Sequence, residues 1–422
     1  MKAVIMAAGK GERLSPLTAT RPKQLLPIGG RPQLEWLLRE VSDAGVRDVL
    51  LITNYMEDAI KGRFGDGSNL GLHITYTTQR EMRGTADAFG YAEEYAGGSE
   101  FLGMNGDLYL APGTVKLLLK NHKRGMITLT GVEKDPYLYA AFKLDGKRVL
   151  GVVEKPKPGT APSKITNAGI YLFPSGVFEA IRATKPSPRG EYEITDTVNA
   201  LIAGGVEARL HMLGEGDWLD IGHPWTLLLA NSRALGRMAR SVEGKVEDGA
   251  HLFGAVHVDP TARVRSGAYV EGPAYIGPMA DVGPNCFIRP GTALVGSNRV
   301  GASCEVKNSI LMEEATVPHL SYVGDSIIGA RCNLGAGTIT ANLRFDHANV
   351  LMTVKGERVD TGLRKLGSVF GDDAQTGVNV CLHPGVKVGV GAWIAPGVTV
   401  DRDVPDMTLL TKDGARPRPE TH

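Results

Sequence analysis

The stretch VEDGAHLFGAVHVDPTARVRSGAYVEGPAYIGPMADVGPNCFIRPGTALVGSNRV, residues 246–300, puts an aliphatic side chain at every sixth position: Val246, Leu252, Val258, Val264, Val270, Ile276, Val282, Ile288, Leu294 and Val300. The series runs on through Val306 and Met312. Four residues after most of these stands a small side chain, among them Ala250, Ala262, Ala268, Ala274, Ala280, Cys286, Thr292 and Cys304. A six-residue period with one large and one small inward residue is the pattern of a parallel β-helix, whose short strands wind three to a coil around a triangular core. Cys286 and Cys304 should then stack on successive coils as small core residues. The period slips by four between 313 and 322, resumes at Ile328 and Leu334, stops across 341–367, and returns at Phe370, Thr376, Leu382, Val388, Ile394 and Val400. Binding loops lie where a repeat is interrupted.

Ahead of the repeat the periodicity is different. Short apolar runs (KAVIMA at 2–7, DVLLIT at 48–53, MITLTGV at 126–132) alternate with helix-like stretches such as QLEWLLREVSDAG at 33–45. That alternation predicts a doubly wound, Rossmann-like α/β domain with a largely parallel sheet covered on both faces. The expected division is an α/β domain over 1–232, a connecting helix and linker over 233–245, the β-helix over 246–405 and a disordered tail over 406–422.

Composition narrows the function classes. The 47 basic and 46 acidic side chains nearly cancel, which argues against a nucleic-acid or membrane-surface partner. The N-terminus becomes glycine-rich and charged before a signal-peptide core could form, and no long apolar run follows, so a cytoplasmic location is expected. Glycine supplies 54 of 422 residues, nearly double the usual ~7%, without a collagen period, which points to phosphate loops and repeated turns. The four cysteines lack CxxC spacing and should be free thiols.

The segment AVIMAAGKGERLSPLT (3–18) sets a strand before a loop with Gly9 and Gly11, residues that let a backbone approach a phosphate closely. It is neither a Walker loop nor a complete dinucleotide fingerprint. Together with RPKQLLPIGGRP (21–32), QREMRGTADA (79–88), MNGD (104–107), VVEKP (152–156), TNAGIY (166–171), GEYEITDTV (190–198) and GDWLDIGHPWTLLLAN (216–231), it resembles the sugar-1-phosphate nucleotidylyltransferases. In that chemistry a sugar phosphate oxygen attacks the α-phosphorus of a nucleoside triphosphate and pyrophosphate leaves, so cations and a metal must neutralise two anions. The resemblance implies that Arg13 and Lys23 contact the triphosphate and that Asp107 and Asp220 hold Mg2+. It also implies that Gln79, Gly84 and Thr85 read the nucleobase, that Glu154, Asn167 and Gly169 bond the sugar hydroxyls, and that Lys155 pairs with the sugar phosphate. The nucleophile is already ionised, so no general base is required and catalysis rests on positioning and charge.

In the C-terminal half, VPHLSYVGDSIIGARCNLGAGTITAN (317–342), with FIRPG (287–291) and CEVKNS (304–309) upstream, resembles the acetyltransferase site of the bifunctional enzymes that make UDP-N-acetylglucosamine, archaeal members in particular. There the β-helix is left-handed and the site lies between subunits, which implies a homotrimer. By the same resemblance His319 is the base that takes a proton from the attacking amine. Arg289 and Lys307 would bind the sugar phosphate, while Tyr322, Asn333 and Asn342 would orient the sugar. Backbone at Ala336 would hold the acetyl-CoA thioester. Ala348 stands where bacterial members have a lysine, and Lys355, Arg364 or Lys365 would have to compensate. PKQLLPI is closer to thymidylyltransferases and QREMRGTADA to uridylyltransferases, so both UTP and dTTP stay open.

The leading expectation is a bifunctional enzyme that N-acetylates glucosamine 1-phosphate and then transfers a uridylyl group. One alternative is a single-function glucose-1-phosphate thymidylyl- or uridylyltransferase with the β-helix as trimerisation scaffold. Another is an inactive regulatory relative of the guanine-exchange-factor subunits, against which the intact Arg13, Lys23, Asp107 and Asp220 speak.

Overall fold

A computed structural model describes residues 1–419. The chain forms two compact units, the first made of Met1–Lys10 and Gln33–Asp220, the second of Gly11–Pro32 and everything from Ile221 onward.

The first unit is built on a nine-stranded sheet. Its strand order is His73–Thr78, Asp48–Thr53, Lys2–Met6, Phe101–Asn105, Ile165–Phe173, Ile127–Glu133, Ala208–Met212, Arg148–Glu154, Ala140–Asp145. The first four strands are parallel, and their apolar runs are buried on both faces, as with Ala3, Val4 and Ile5. Helix Gln33–Asp43 buries Leu34, Leu37, Leu38 and Val41 at helical spacing. The sheet is largely parallel, as expected, and Ala208–Met212 also runs parallel to Ile127–Glu133 farther along it. Strand Ile165–Phe173 runs antiparallel to both of its neighbours. The chain between reverses in a hairpin, Asp145 facing Arg148 across a turn in which Gly146 has φ 57°, so no helical crossover is available to keep the direction. The carboxyl ends of the parallel strands gather Gly9, Gln79 and Asp107 at one edge, where open α/β sheets bind ligands.

In the second unit three parallel sheets wind as a left-handed β-helix. Val246, Val264, Val282 and Val300 stack in register along one sheet. Left-handed backbone recurs at the corners, carried even by non-glycine residues such as Met279, Asn285, Ser297 and Ser303. Register also redraws the interruption near 313–322. Val306 faces Val323 and Leu294 faces Leu311, each one residue short of the spacing between Val282 and Val300. The shortening falls at one corner in two successive coils, at 307–309 and 324–326, so Leu311 rather than Met312 faces Leu294. Two one-residue losses mimic a single slip of four when only the six-residue period is followed.

The break at 341–367 contains an antiparallel hairpin, Leu351–Val354 with Glu357–Asp360. Helix Pro224–Gly236 carries a capping box between His223 and Thr226, and coiling begins at Ser241–Val242, inside the expected linker. The tail read as disordered is structured as far as it is described. Thr408–Thr411 pairs with Trp393–Ile394 and folds back on Gly414–Pro417, while the Arg418 guanidinium lies 4.7 Å from the Trp393 ring centroid. An open coil end is an unpaired sheet edge, and the hairpin covers it; residues 420–422 of that tail lie outside the described residues. Among the described residues no helix is long and apolar enough to cross a membrane.

Candidate active sites

In the first unit, the Asn105–Gly106–Asp107 turn lies against the end of the first strand. The Gly106 amide donates to the Met6 carbonyl at 2.8 Å, and a Cβ on Gly106 would fall 2.4 Å from that oxygen. Leu108, next to Asp107, pairs with Asp220 on strand Trp218–Asp220, so the two candidate metal carboxylates occupy neighbouring positions of one ribbon. Tyr139 Oη at 2.7 Å and Lys134 Nζ at 3.2 Å both donate to Asp220 Oδ1. Lys134 also lies over the Tyr139 and Trp218 rings. Among the described residues no cluster of three or more His, Cys, Asp or Glu converges. Two carboxylates without a third suit Mg2+, which completes its octahedron with water and substrate phosphates, and do not suit a protein-enclosed metal.

Gln79, Gly84 and Thr85, the residues expected to read the nucleobase, are braced by residues the sequence did not single out. Gln79 is buried and donates through Nε2 to Asp87 Oδ2 at 3.0 Å, while Arg83 holds Asp87 Oδ1 at 2.7 Å. A carboxylate only accepts, so the Gln79 amide is oriented with its Nε2 on Asp87. Gly84 has φ 128° and an added Cβ would lie 2.5 Å from the Tyr192 carbonyl, which in turn accepts the Ala86 amide. Thr85 Oγ1 accepts the Ile194 amide at 2.9 Å, so this hydroxyl clasps GEYEITDTV to QREMRGTADA.

At the sugar end, Glu154 meets Arg189 at 3.2 Å and accepts from Thr195. Lys155 sits in left-handed backbone with its amide on the Tyr139 carbonyl. Asn167 donates to Tyr171 Oη at 2.7 Å and its Oδ1 accepts the Gly169 amide at 3.1 Å. Gly169 has φ 74°, and a Cβ there would lie 2.3 Å from Asn105 Nδ2. The bulge between Asn167 and Tyr171 produces this kink in the strand.

Arg13, Lys23 and Gly11 stand in the second unit, on a segment with two short 3-10 turns, Glu12–Leu14 and Lys23–Leu25, followed by a short hairpin of Pro27–Ile28 with Arg31–Pro32. Gly11 has φ 71°, and a Cβ there would press on the Lys23 side chain at 3.1 Å.

On the β-helix the candidate residues fall into two groups. His319 ends strand Thr316–His319 and is exposed; its carbonyl accepts the Gly337 amide, which sets Ala336 one coil along from it at the same corner. At the shortened corner, Arg289 and Lys307 sit on adjacent rungs, Arg289 paired with Glu305 at 2.7 Å and Lys307 with Asp325 at 3.0 Å. Asp325 is buried, takes Asn308 Nδ2 at 2.7 Å, and also receives Asn342 Nδ2. Asn342 further donates to Tyr322 Oη at 3.1 Å. Burial pushes the Tyr322 phenol up, with Asp325 adding to the effect, so the hydroxyl stays protonated. Asp325 stands within the PHLSYVGD segment, but a site read as phosphate-binding directs attention to cations and passes over the carboxylate that orders them.

Asn333 is not brought to this group within one chain. It lies on the sheet of Thr316 and Gln375, and its Oδ1 accepts from Thr316 Oγ1. Of the proposed substitutes for a lysine at Ala348, Lys355 is paired with Glu12 at 2.8 Å, whereas Lys365 precedes Leu366, whose amide bonds the Asn342 carbonyl. A groove of about 590 Å3 runs along this face, lined by Phe287, Glu305, Leu320, Tyr322 and the two cysteines Cys286 and Cys304.

The fold and the ribbon of two carboxylates define a nucleotidyltransferase carrying a β-helix. The nucleotidyl transferase family matches residues 2–236, and a GMPPB C-terminal domain matches 270–377. The chain is 41% identical over 412 residues to "Bifunctional protein GlmU" of Methanocaldococcus jannaschii, covering 98% of each. It is 40% identical to the "Bifunctional sugar-1-phosphate nucleotidylyltransferase/acetyltransferase" of Sulfurisphaera tokodaii, covering 96% of this chain and 98% of that one. A solved structure of a putative glucose-1-phosphate thymidylyltransferase from Bacillus anthracis matches with TM-score 0.51 and 31% identity, over 58% of this chain and 98% of the other. The chain therefore belongs to the bifunctional sugar-1-phosphate nucleotidylyltransferase/acetyltransferase family.

Proposed function

We propose that the protein N-acetylates glucosamine 1-phosphate from acetyl-CoA on its β-helix and, in its α/β domain, transfers a uridylyl group from UTP to N-acetylglucosamine 1-phosphate, releasing pyrophosphate. The observation that carries the acetyltransferase half is the Lys307–Asp325–Asn342 cluster beside Tyr322, a preorganised polar corner that a trimerisation scaffold would not need. His319 accepts the proton as the amine nitrogen attacks the thioester carbon; the C–S bond breaks and CoA leaves as its thiol. Arg289 and Lys307 hold the sugar phosphate, Tyr322 and Asn342 the sugar, and the Ala336 backbone the thioester. Asn333 reaches the same site from a second copy in a homotrimer, since one chain keeps it on another sheet.

In the α/β domain the ionised sugar phosphate forms the new P–O bond at the α-phosphorus while the bond to pyrophosphate breaks. Arg13 stabilises the leaving pyrophosphate, and Lys23 bridges toward the reacting phosphate. Gly9 and Gly11 allow the loop's close approach, Gln79, Gly84 and Thr85 face the base, Glu154, Asn167 and Gly169 bond the sugar hydroxyls, and Lys155 pairs with the sugar phosphate. Asp107 and Asp220 would hold Mg2+, which when bound neutralises phosphate charge. The enzyme is expected to act in the cytoplasm.

The deciding assay is release of CoA thiol on adding glucosamine 1-phosphate, with galactosamine 1-phosphate in parallel, beside pyrophosphate release from UTP and from dTTP. Pyrophosphate release without any amino-sugar-dependent CoA release would favour the single-function reading, for which Ala348 and the engagement of Lys355 by Glu12 are the supporting observations.

A further inference from the structure

The segment Gly11–Pro32 carries Arg13 and Lys23, yet it packs in the same compact unit as the β-helix. Its attachment is specific. Thr20 Oγ1 and Arg21 Nη2 both donate to Asp372 Oδ2 at 2.9 Å, and Arg21 Nη1 reaches Glu313 at 3.0 Å. The Asp372 side chain is 3% exposed, and its other oxygen accepts the Ala330 amide at 2.9 Å. One carboxylate thus closes a β-helix coil and receives the loop. Lys355, in the turn of the inserted hairpin, pairs at 2.8 Å with Glu12, the residue before Arg13. Farther along, the fully buried Asn231 accepts the Gly29 amide at 2.8 Å and donates to the Gly291 carbonyl at 2.9 Å. Gly30, with φ 80°, lies so close to the Tyr275 ring that a Cβ would fall 2.3 Å from it.

The part of this segment that carries Arg13 and Lys23, residues 11–26, has two 3-10 turns as its only regular structure and so little internal reason to hold two cationic side chains still. The Arg21–Asp372 ion pair supplies one, because losing the carboxylate leaves the guanidinium to the half-exposed Glu313, and losing Arg21 leaves the buried carboxylate to Arg331 at 3.8 Å. The Arg21–Asp372 pair therefore fixes the loop at its middle, between Arg13 and Lys23, and the Lys355–Glu12 pair fixes it at its start.

We propose that Asp372, acting through Arg21, is a positioning residue for nucleotidyl transfer: a β-helix side chain sets the loop that presents Arg13 and Lys23 to the nucleoside triphosphate. The inference rests on the reading of Arg13 and Lys23 given above. It makes triphosphate binding depend on the half of the chain that carries the acetyltransferase site.

The test uses the full-length protein and the variants Asp372→Asn, Arg21→Gln, Arg21→Lys and the double variant Asp372→Asn with Arg21→Gln. Asp372→Asn keeps an oxygen for the Ala330 amide and removes the buried one of the two charges that Arg21 meets. The expected result is a KM for the nucleoside triphosphate raised roughly tenfold in both single neutral variants, with KM for the sugar 1-phosphate and CoA release unchanged. Arg21→Lys should recover part of the loss, and the double variant should be no worse than Arg21→Gln, which already removes the Asp372 contact together with the one to Glu313. Arg21→Gln lies in the loop and not in a coil, so it keeps the test alive if Asp372→Asn fails to fold. An unchanged triphosphate KM in folded Arg21→Gln, or equal losses of both activities, overturns the inference. Arg13→Ala separates this from the underlying reading: if it retains pyrophosphate release, the loop's assigned role fails, whereas an inactive Arg13→Ala beside unaffected Arg21→Gln defeats the inference alone.

Discussion

Lys307 Nζ and Asp325 Oδ2 meet at 3.0 Å across two successive coils, at the one corner where both coils are a residue short. At this corner Asn308 and Asp325 have left-handed backbone, and the Asp325 carboxylate gathers Lys307, Asn308 and Asn342. The two shortened coils bring a polar cluster together at this corner.

Asp325→Asn is expected to raise KM for glucosamine 1-phosphate in the CoA-release assay by roughly tenfold and to cost about 3 kcal/mol of stability by thermal unfolding, because it leaves a mostly buried lysine unpaired. Pyrophosphate release should be untouched. The competing effect is electrostatic, since losing one negative charge favours a phosphate. A lowered KM would mean that Asp325 restrains Lys307 from its substrate and does not aim it.

His319→Ala is expected to reduce CoA release by about 10^2 to 10^4-fold while leaving pyrophosphate release at its original rate, the range being that of a lost general base. His319 is exposed and its backbone carbonyl carries the structural bonds, from Gly337 and Ser321, so the substitution leaves the coil intact. Near-normal CoA release in this variant would move the base elsewhere.

The fold and this site were legible in the sequence to different degrees, for physical reasons. Inward positions of a β-helix repeat because each rung must fill the same triangular space, so Val246 to Val300 are readable without any structure. Arg289, Lys307 and Tyr322 follow from their motifs and do converge on one corner. Asp325, Asp87 and Lys134 bind other side chains of the protein, and such partners leave no periodic signal. The antiparallel course of Ile165–Phe173 and the hairpin after Met407 depend on which edge is open, a property of the assembled sheet and not of local spacing. Asn333 shows the limit of motif reading: it belongs to the quoted segment, but the coil turns it onto another sheet.

Gly84→Ala is expected to abolish nucleotidyl transfer and spare CoA release. With φ 128° and Tyr192 backbone atoms 2.5 and 2.7 Å from the added Cβ, the side chain must push apart two strands of chain clasped by the Ala86, Tyr192 and Ile194 amides. The backbone conformation alone costs about 1–3 kcal/mol for a non-glycine residue. Limited proteolysis should show the α/β unit loosened and the β-helix resistant; an active Gly84→Ala would mean the clasp yields without displacing Gln79.

The last expectation concerns the route of the acetyl group. Cys286 and Cys304 line the groove beside Tyr322, which raises the question of a thioester passed through an enzyme thiol. Burial, with neighbouring Cys304 contributing, pushes the Cys286 thiol up to about 12, and burial also raises Cys304. A thiol so shifted stays protonated at every pH the enzyme would work in, and the thiolate is the nucleophile. Direct passage of the acetyl group from CoA to the amine is therefore the expected route. Iodoacetamide at neutral pH should modify Cys381, the exposed cysteine, and leave Cys286, Cys304 and Cys332 unmodified until the protein is unfolded. Cys286→Ala should retain full CoA release, and mass spectrometry after mixing with acetyl-CoA alone should find no acetylated chain. Loss of CoA release in folded Cys286→Ala, together with an acetylated Cys286 in the wild-type protein, would replace direct transfer by a covalent relay.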